Sequence, residues 1–158
     1  GGRAIMPMRI DILSLFPGMF TPILGTSIPK RAAEKGLVSY HLHDIRDVAT
    51  DAHRSVDDRP FGGGPGMLMM ATILADAVER AEALDTTPAT RLLMSPAGRP
   101  LDQDFVRELA SKPRLMLVCG RYEGVDARAI DSLGLTELSM ITSSPEANSP
   151  RCAWSTRS

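Results

Sequence analysis

Two short stretches of this 158-residue chain, Leu92-Leu93-Met94 and Leu115-Met116-Leu117-Val118, are apolar at every position. A strand with one face in water alternates apolar and polar residues, so a run without alternation has to be covered on both faces. That constraint selects a parallel sheet between layers of helix, and the rest of the chain agrees. A strand-like run from Arg9 to Phe16 is stopped by Pro17-Gly18, residues 19–35 read as a helix with Gly36 at its C-cap, and residues 37–45 alternate as a second strand. Helical spacing follows over 71–84, through Ile73, Leu74, Ala77, Val78 and Ala81, then over 103–112 and around 125–133. Strands alternating with helices around buried inner strands define an α/β layer fold with a parallel sheet flanked by helices. In such sheets ligands sit outside the carboxyl ends of the strands. The loops after Met94 and Cys119 are therefore the informative ones.

Composition removes several classes of function. With 18 basic and 19 acidic residues the net charge is −1, which excludes holding nucleic acid by bulk charge but leaves room for a local basic patch. No apolar run approaches the roughly 18 residues of a membrane helix, and the opening GGRAIMP has no signal-peptide core, so no membrane partner is expected. Two cysteines, Cys119 and Cys152, make no disulfide framework and point to a reducing, cytoplasmic setting, with Cys119 an inert buried thiol. His41 and His43 share one face of a strand, but no further His or Cys stands near them. They read as exposed strand residues, and no metal is expected.

Three loops carry the chemistry. In the first, Val56-Asp57-Asp58-Arg59-Pro60-Phe61-Gly62-Gly63-Gly64-Pro65-Gly66-Met67, three consecutive glycines cost backbone entropy that close approach or positive φ would justify. A flexible connector rarely brings a paired acid, an arginine and two prolines with it, so a loop lying against a ligand or a partner subunit is the better reading. No Lys-Ser/Thr follows the last glycine and no strand leads into it, so it is neither a Walker loop nor a dinucleotide fingerprint. The second loop, Ser95-Pro96-Ala97-Gly98-Arg99, is either an ordinary tight turn or one whose amides hold a small ligand. The third, Gly120-Arg121-Tyr122-Glu123-Gly124, clusters a guanidinium, a phenol and a carboxylate between glycines at the mouth of a buried strand, where polar groups converge on ligands. His53, Arg54, Arg46, Arg59, Arg99 and Arg121 form a phosphate-facing set or simply a solvated surface.

In order and spacing these segments, from Arg9-Ile10-Asp11-Ile12-Leu13-Ser14-Leu15-Phe16-Pro17 through the glycine loop to Cys119-Gly120-Arg121-Tyr122-Glu123-Gly124-Val125-Asp126, resemble the bacterial tRNA (guanine-N1-)-methyltransferase family. The resemblance runs from Met8 to about Ser139. It implies a SPOUT-type domain with a trefoil knot, acting as a homodimer that transfers a methyl group from S-adenosylmethionine to N1 of the guanosine just 3′ of the tRNA anticodon, position 37. By position, Ser95, Pro96 and Gly98 match one wall of the cofactor site, and Gly120, Arg121 and Tyr122 another. Glu123 matches a residue beside the target guanine or the reacting methyl. Asp57, Asp58, Arg59, Gly62, Gly63 and Gly64 match a loop near the tRNA-facing site and the dimer contact. The chemistry is coherent: N1 of guanine carries a proton at neutral pH that a base must remove, a carboxylate is favoured beside a cationic sulfonium, and the purine must leave its stack. The family's general base is an aspartate beyond the knot, supplied by the partner subunit.

The likeness stops after Ser139. Residues 1–7 precede it as a non-family extension, 8–139 form a truncated methyltransferase domain, and 140–158 read as an aberrant, disordered tail. The expectation is an incomplete knot and a chain inactive as written, the alternative being a non-catalytic remnant that dimerises or binds cofactor weakly. Read one register over, the codons from Ile141 onward permit YVLSGGELPAMRLVDA, which resembles the family's knot strand, glycine turn and next helix start. The tail is thus expected to arise from a small insertion or deletion near Met140. The nucleotide sequence downstream of the Ser139 codon tests this: the shifted frame should encode the knot strand, and an immediate stop there would refute it.

Overall fold

The computed structural model describes residues 7–48, 57–58, 68–69, 71–120 and 125–140. In chain order the elements are β1 (Met8–Ser14), α1 (Thr21–Leu24), α2 (Ser27–Glu34), β2 (Val38–Asp44), β3 (Asp57–Asp58), β4 (Leu68–Met69), α3 (Ala71–Glu82), β5 (Thr90–Pro100), α4 (Gln103–Ala110), β6 (Arg114–Cys119), α5 (Ala127–Ser132) and β7 (Thr136–Ser139). Five strands make one sheet in the order β2-β1-β6-β5-β7, and every pairing in it is parallel. The two-residue strands β3 and β4 pair with each other, antiparallel.

The unbroken apolar runs are buried on both sides. Met116, Val118, Leu13 and Leu93 pack against Leu74, Ala77, Val78 and Ala81 of α3, with Ile130 of α5 beside them. Leu115, Leu92 and Leu138 face the other way, onto Phe105 and Leu109 of α4. Each fully buried side chain of this kind contributes about 1.5–3 kcal/mol. Asp102 fixes the start of α4, its carboxylate accepting the Phe105 N–H at 2.9 Å.

The stretch 19–35 is not one helix. A 3₁₀ turn at Pro17–Met19 leads into α1, and α2 begins only at Ser27. The Thr26 hydroxyl donates to the carbonyls of Pro22 (3.1 Å) and Ile23 (3.3 Å), competing with helix continuation. Pro22 and Pro29 both fall in first turns, where no N–H is needed. Gly36 does cap α2, at φ +75, with its N–H to the Ala33 carbonyl at 3.0 Å and that of Leu37 to Ala32 at 2.9 Å. Periodicity gives no sign of β7, whose four residues are shorter than any period can register.

One charged cluster lies inside this apolar frame. Asp11 and Arg114, on adjacent strands, are both 0% exposed, and Arg114 Nε donates to Asp11 Oδ2 at 2.9 Å. Asp11 also takes hydrogen bonds from Arg9 (3.0 Å), and His43 Nε2 lies 2.7 Å from its Oδ1. His43 and His41 are half-buried rather than exposed, His43 against this carboxylate of the neighbouring strand and His41 with its Nε2 3.2 Å from Ser39 Oγ. The rest of the Arg114 guanidinium donates to the carbonyls of Ala81, Glu82 (3.0 Å), Asp85 (3.2 Å) and Thr87 (2.8 Å), which satisfies the C-terminal end of α3 and the turn after it. Glu82 continues the chain of charge to Arg91, at 3.0 Å.

Burial alone would raise the Asp11 pKa. The hydrogen bonds from His43, Arg9 and Arg114 and the charge of Arg114 outweigh it and hold the carboxyl well below the usual carboxylate range. A depressed folded-state pKa contributes stability above the unfolded value, about pH 4, and that contribution is lost as the pH falls below it. Asp11→Ala, which leaves Arg114 buried and unpaired, should cost about 3–5 kcal/mol in urea unfolding and flatten the acid limb of the stability profile. A loss under about 1 kcal/mol would show that the cluster does not hold the fold.

Candidate functional site

The sheet itself locates the site. After β1 the chain turns outward to β2, and after β6 it crosses the other way to β7. Adjacent parallel strands whose connections leave in opposite directions open a crevice at their carboxyl ends. A cleft of about 410 Å³ lies there, lined by Ser14, Leu15, Phe16, Met19, Phe20, Cys119 and Gly120. Its size is within the range of small-molecule sites, and its lining is mainly apolar. Cys119, expected to be buried, is half-buried and lines this cleft, and the burial it has pushes its thiol up to about 11.

The loop after Met94 opens at the same edge, one strand further along. Met94 and Arg99 both pair with Leu138, so residues 95–98 are a four-residue excursion from β5 opposite a single residue of β7. Ser95 Oγ accepts the Ala97 N–H at 3.2 Å and shapes the turn. Gly98 has a structural cause: a Cβ there would sit 2.4 Å from the Glu137 carbonyl carbon and 2.5 Å from the Leu138 nitrogen. Only glycine lets β7 pass this close. Ser95 is half-buried and Pro96 exposed.

The structure thus places Ser95, Pro96 and Gly98 in an excursion within β5 and Gly120 just after β6, on neighbouring strands. Arg121, Tyr122 and Glu123 lie outside the described residues. Asp57 and Asp58 form β3, in register with Met69 and Leu68, while Arg59, Gly62, Gly63 and Gly64 between those strands lie outside the described residues. Directly after the Gly120 motif, Asp126 caps α5: it accepts the Arg128 N–H and guanidinium, each at 2.8 Å, and these bonds lower its pKa to about 2.

Of the arginines set out as phosphate-facing, Arg99 is turned to α4, 4.0 Å over the Phe105 ring and 3.2 Å from Glu108. Arg46 stands at the carboxyl edge, 5.6 Å from the Phe16 ring centroid. His53, Arg54, Arg59 and Arg121 lie outside the described residues. Phe16, Met19 and Phe20 went unremarked as site residues, although the carboxyl-end rule applies to the loop after β1 as much as to the other two. Among the described residues no group of three or more His, Cys, Asp or Glu is placed to hold a metal ion, and no helix is long and apolar enough to cross a membrane.

An open all-parallel sheet covered by helices, with a cleft at its carboxyl-edge switch point, defines a doubly covered α/β domain. The family model described as tRNA (Guanine-1)-methyltransferase TrmD matches residues 8–142, and the chain belongs to that family. It is 53% identical over 134 residues to the tRNA (guanine-N(1)-)-methyltransferase of Rhodopseudomonas palustris (strain BisB18), covering 85% of this chain and 53% of that protein. It is 52% identical over 133 residues to the protein of the same name from Chloroflexus aurantiacus, covering 84% and 53%, and 50% identical over 133 residues to that of Thermomicrobium roseum, covering 84% and 50%. The chain spans about half the length of these curated relatives.

Gly98→Ala should destabilise the chain by about 1–3 kcal/mol, since the added methyl meets backbone that has no rotamer to yield. Thermal unfolding without any ligand checks this. An unchanged midpoint would mean that β7 does not pass so close.

Proposed function

We propose that this chain is the cofactor-binding half of a tRNA (guanine-N1-)-methyltransferase that uses S-adenosylmethionine and methylates N1 of the guanosine 3′ of the anticodon, position 37, acting in the cytoplasm as a homodimer. The observation that carries the reading is that two motif segments, Ser95 to Gly98 on β5 and Gly120 after β6, lie on neighbouring parallel strands at one edge of the sheet, in a domain belonging to this family. The donor set suits the group. A partly buried edge with few charges among the described residues accommodates a nucleoside bearing a sulfonium, and the bound cofactor supplies an electrophilic methyl group.

In this reading Ser95, Pro96 and Gly98 hold one side of the cofactor, and Gly120, Arg121 and Tyr122 the other. Glu123 places a carboxylate beside the sulfonium and the N1–H edge of the guanine, where its charge favours the cationic donor. Asp57, Asp58, Arg59, Gly62, Gly63 and Gly64 face the tRNA and the partner subunit. Arg114 and Asp11 serve the site only indirectly, by fixing β6, whose end carries Gly120.

Calorimetric titration of the purified chain with S-adenosylmethionine tests the proposal. The wild-type chain should bind, and Gly120→Val, which places a branched side chain where the cofactor wall belongs, should remove detectable binding. Absence of binding by the wild-type chain overturns the reading; equal affinity for Gly120→Val overturns the assignment of Gly120.

A further inference from the structure

Resting on that reading, we propose that the cleft on the β1 side of Gly120 receives an unpaired purine base of the RNA, with the Phe16 ring as its stacking face and the Arg46 guanidinium as the contact for the adjoining phosphate. Three observations converge. Phe16 is 54% exposed at the mouth of an apolar cleft, and Met19 beside it is 68% exposed. The backbone that carries the ring is held in place: the Phe16 N–H donates to Ser14 Oγ at 3.0 Å, and its carbonyl accepts the Met19 N–H at 3.1 Å, which closes the 3₁₀ turn.

The second observation is the cation. Arg46 lies 5.6 Å from the ring centroid, and its backbone is anchored through Asp44 Oδ1 at 2.9 Å. Among the described residues no carboxylate pairs with this guanidinium, in contrast to Arg99, whose ring contact is accompanied by Glu108. An aromatic face beside an arginine that has no carboxylate partner among the described residues suits a base and its phosphate, whereas an apolar peptide would leave the charge unmatched.

The third is position. Asp44, Ser14 and Cys119 are in register across β2, β1 and β6, so the segments carrying Arg46, Phe16 and Gly120 leave three adjacent strand ends. Two strand spacings are about 10 Å, the span of one nucleotide unit. Cofactor loops on β5 and β6 and a base platform on β1 and β2 would meet at Gly120, as donor and acceptor of a methyl group must.

The test uses the full 158-residue chain and an anticodon stem-loop RNA with 2-aminopurine in place of the target guanine, read by fluorescence. Binding to the wild-type chain and to Phe16→Tyr should quench the emission. Phe16→Leu keeps the apolar bulk but has no π face; it should lose the quench and raise Kd about 5- to 100-fold with an unaltered thermal midpoint. Arg46→Gln should lower the slope of log Kd against log salt by about one. If the RNA binds but Phe16→Leu quenches like wild type, the platform is overturned while the tRNA reading stands. If the wild-type chain binds no RNA at low salt, both fall. If Phe16→Leu changes only the oligomeric state in sedimentation, the face is a contact between copies and the proposal fails.

Discussion

The ion pair between Asp11 and Arg114 decides how the layers of this domain sit. Two charges removed from water are tolerable only when every remaining donor and acceptor finds a partner. Arg114 meets that condition by reaching from the central strand, β6, into four carbonyls at and beyond the end of α3. Hydrophobic contact alone would let α3 slide along the sheet, since Leu74, Val78 and Ala81 fit many apolar surfaces. A guanidinium that must be saturated admits one placement. The pair therefore contributes specificity of docking more than net stability, and removing one partner is costly because the other is left stranded.

From that docking follows the geometry of the carboxyl edge. With β1 and β6 locked side by side, the segments after them diverge and the cleft opens between Phe16 and Gly120. β5 lies beyond β6, so its excursion at residues 95–98 falls on the far side of Gly120 from Phe16.

Much of this was legible in the residues. The apolar runs required a two-sided parallel sheet, and the sheet has that form. The motif order pointed to the family before any fold was considered. Other features were not legible, for identifiable reasons. Thr26 breaks the first helical segment through side-chain bonds to two carbonyls, a local competition that propensity averages away. His43 reads as a surface residue until the neighbouring strand supplies a buried carboxylate. The glycine at position 98 could have exposed an amide to a ligand; it is required because another strand passes within contact distance.

The sequence by itself determined the fold class and the family, because periodicity and motif spacing are written along one dimension. Only the tertiary structure decided which segments line the cleft, which charges are buried, and that Phe16 and Arg46 stand together. Those facts depend on strand order, and residues 11 and 114, or 16 and 46, become neighbours only when parallel strands distant in the chain are laid side by side.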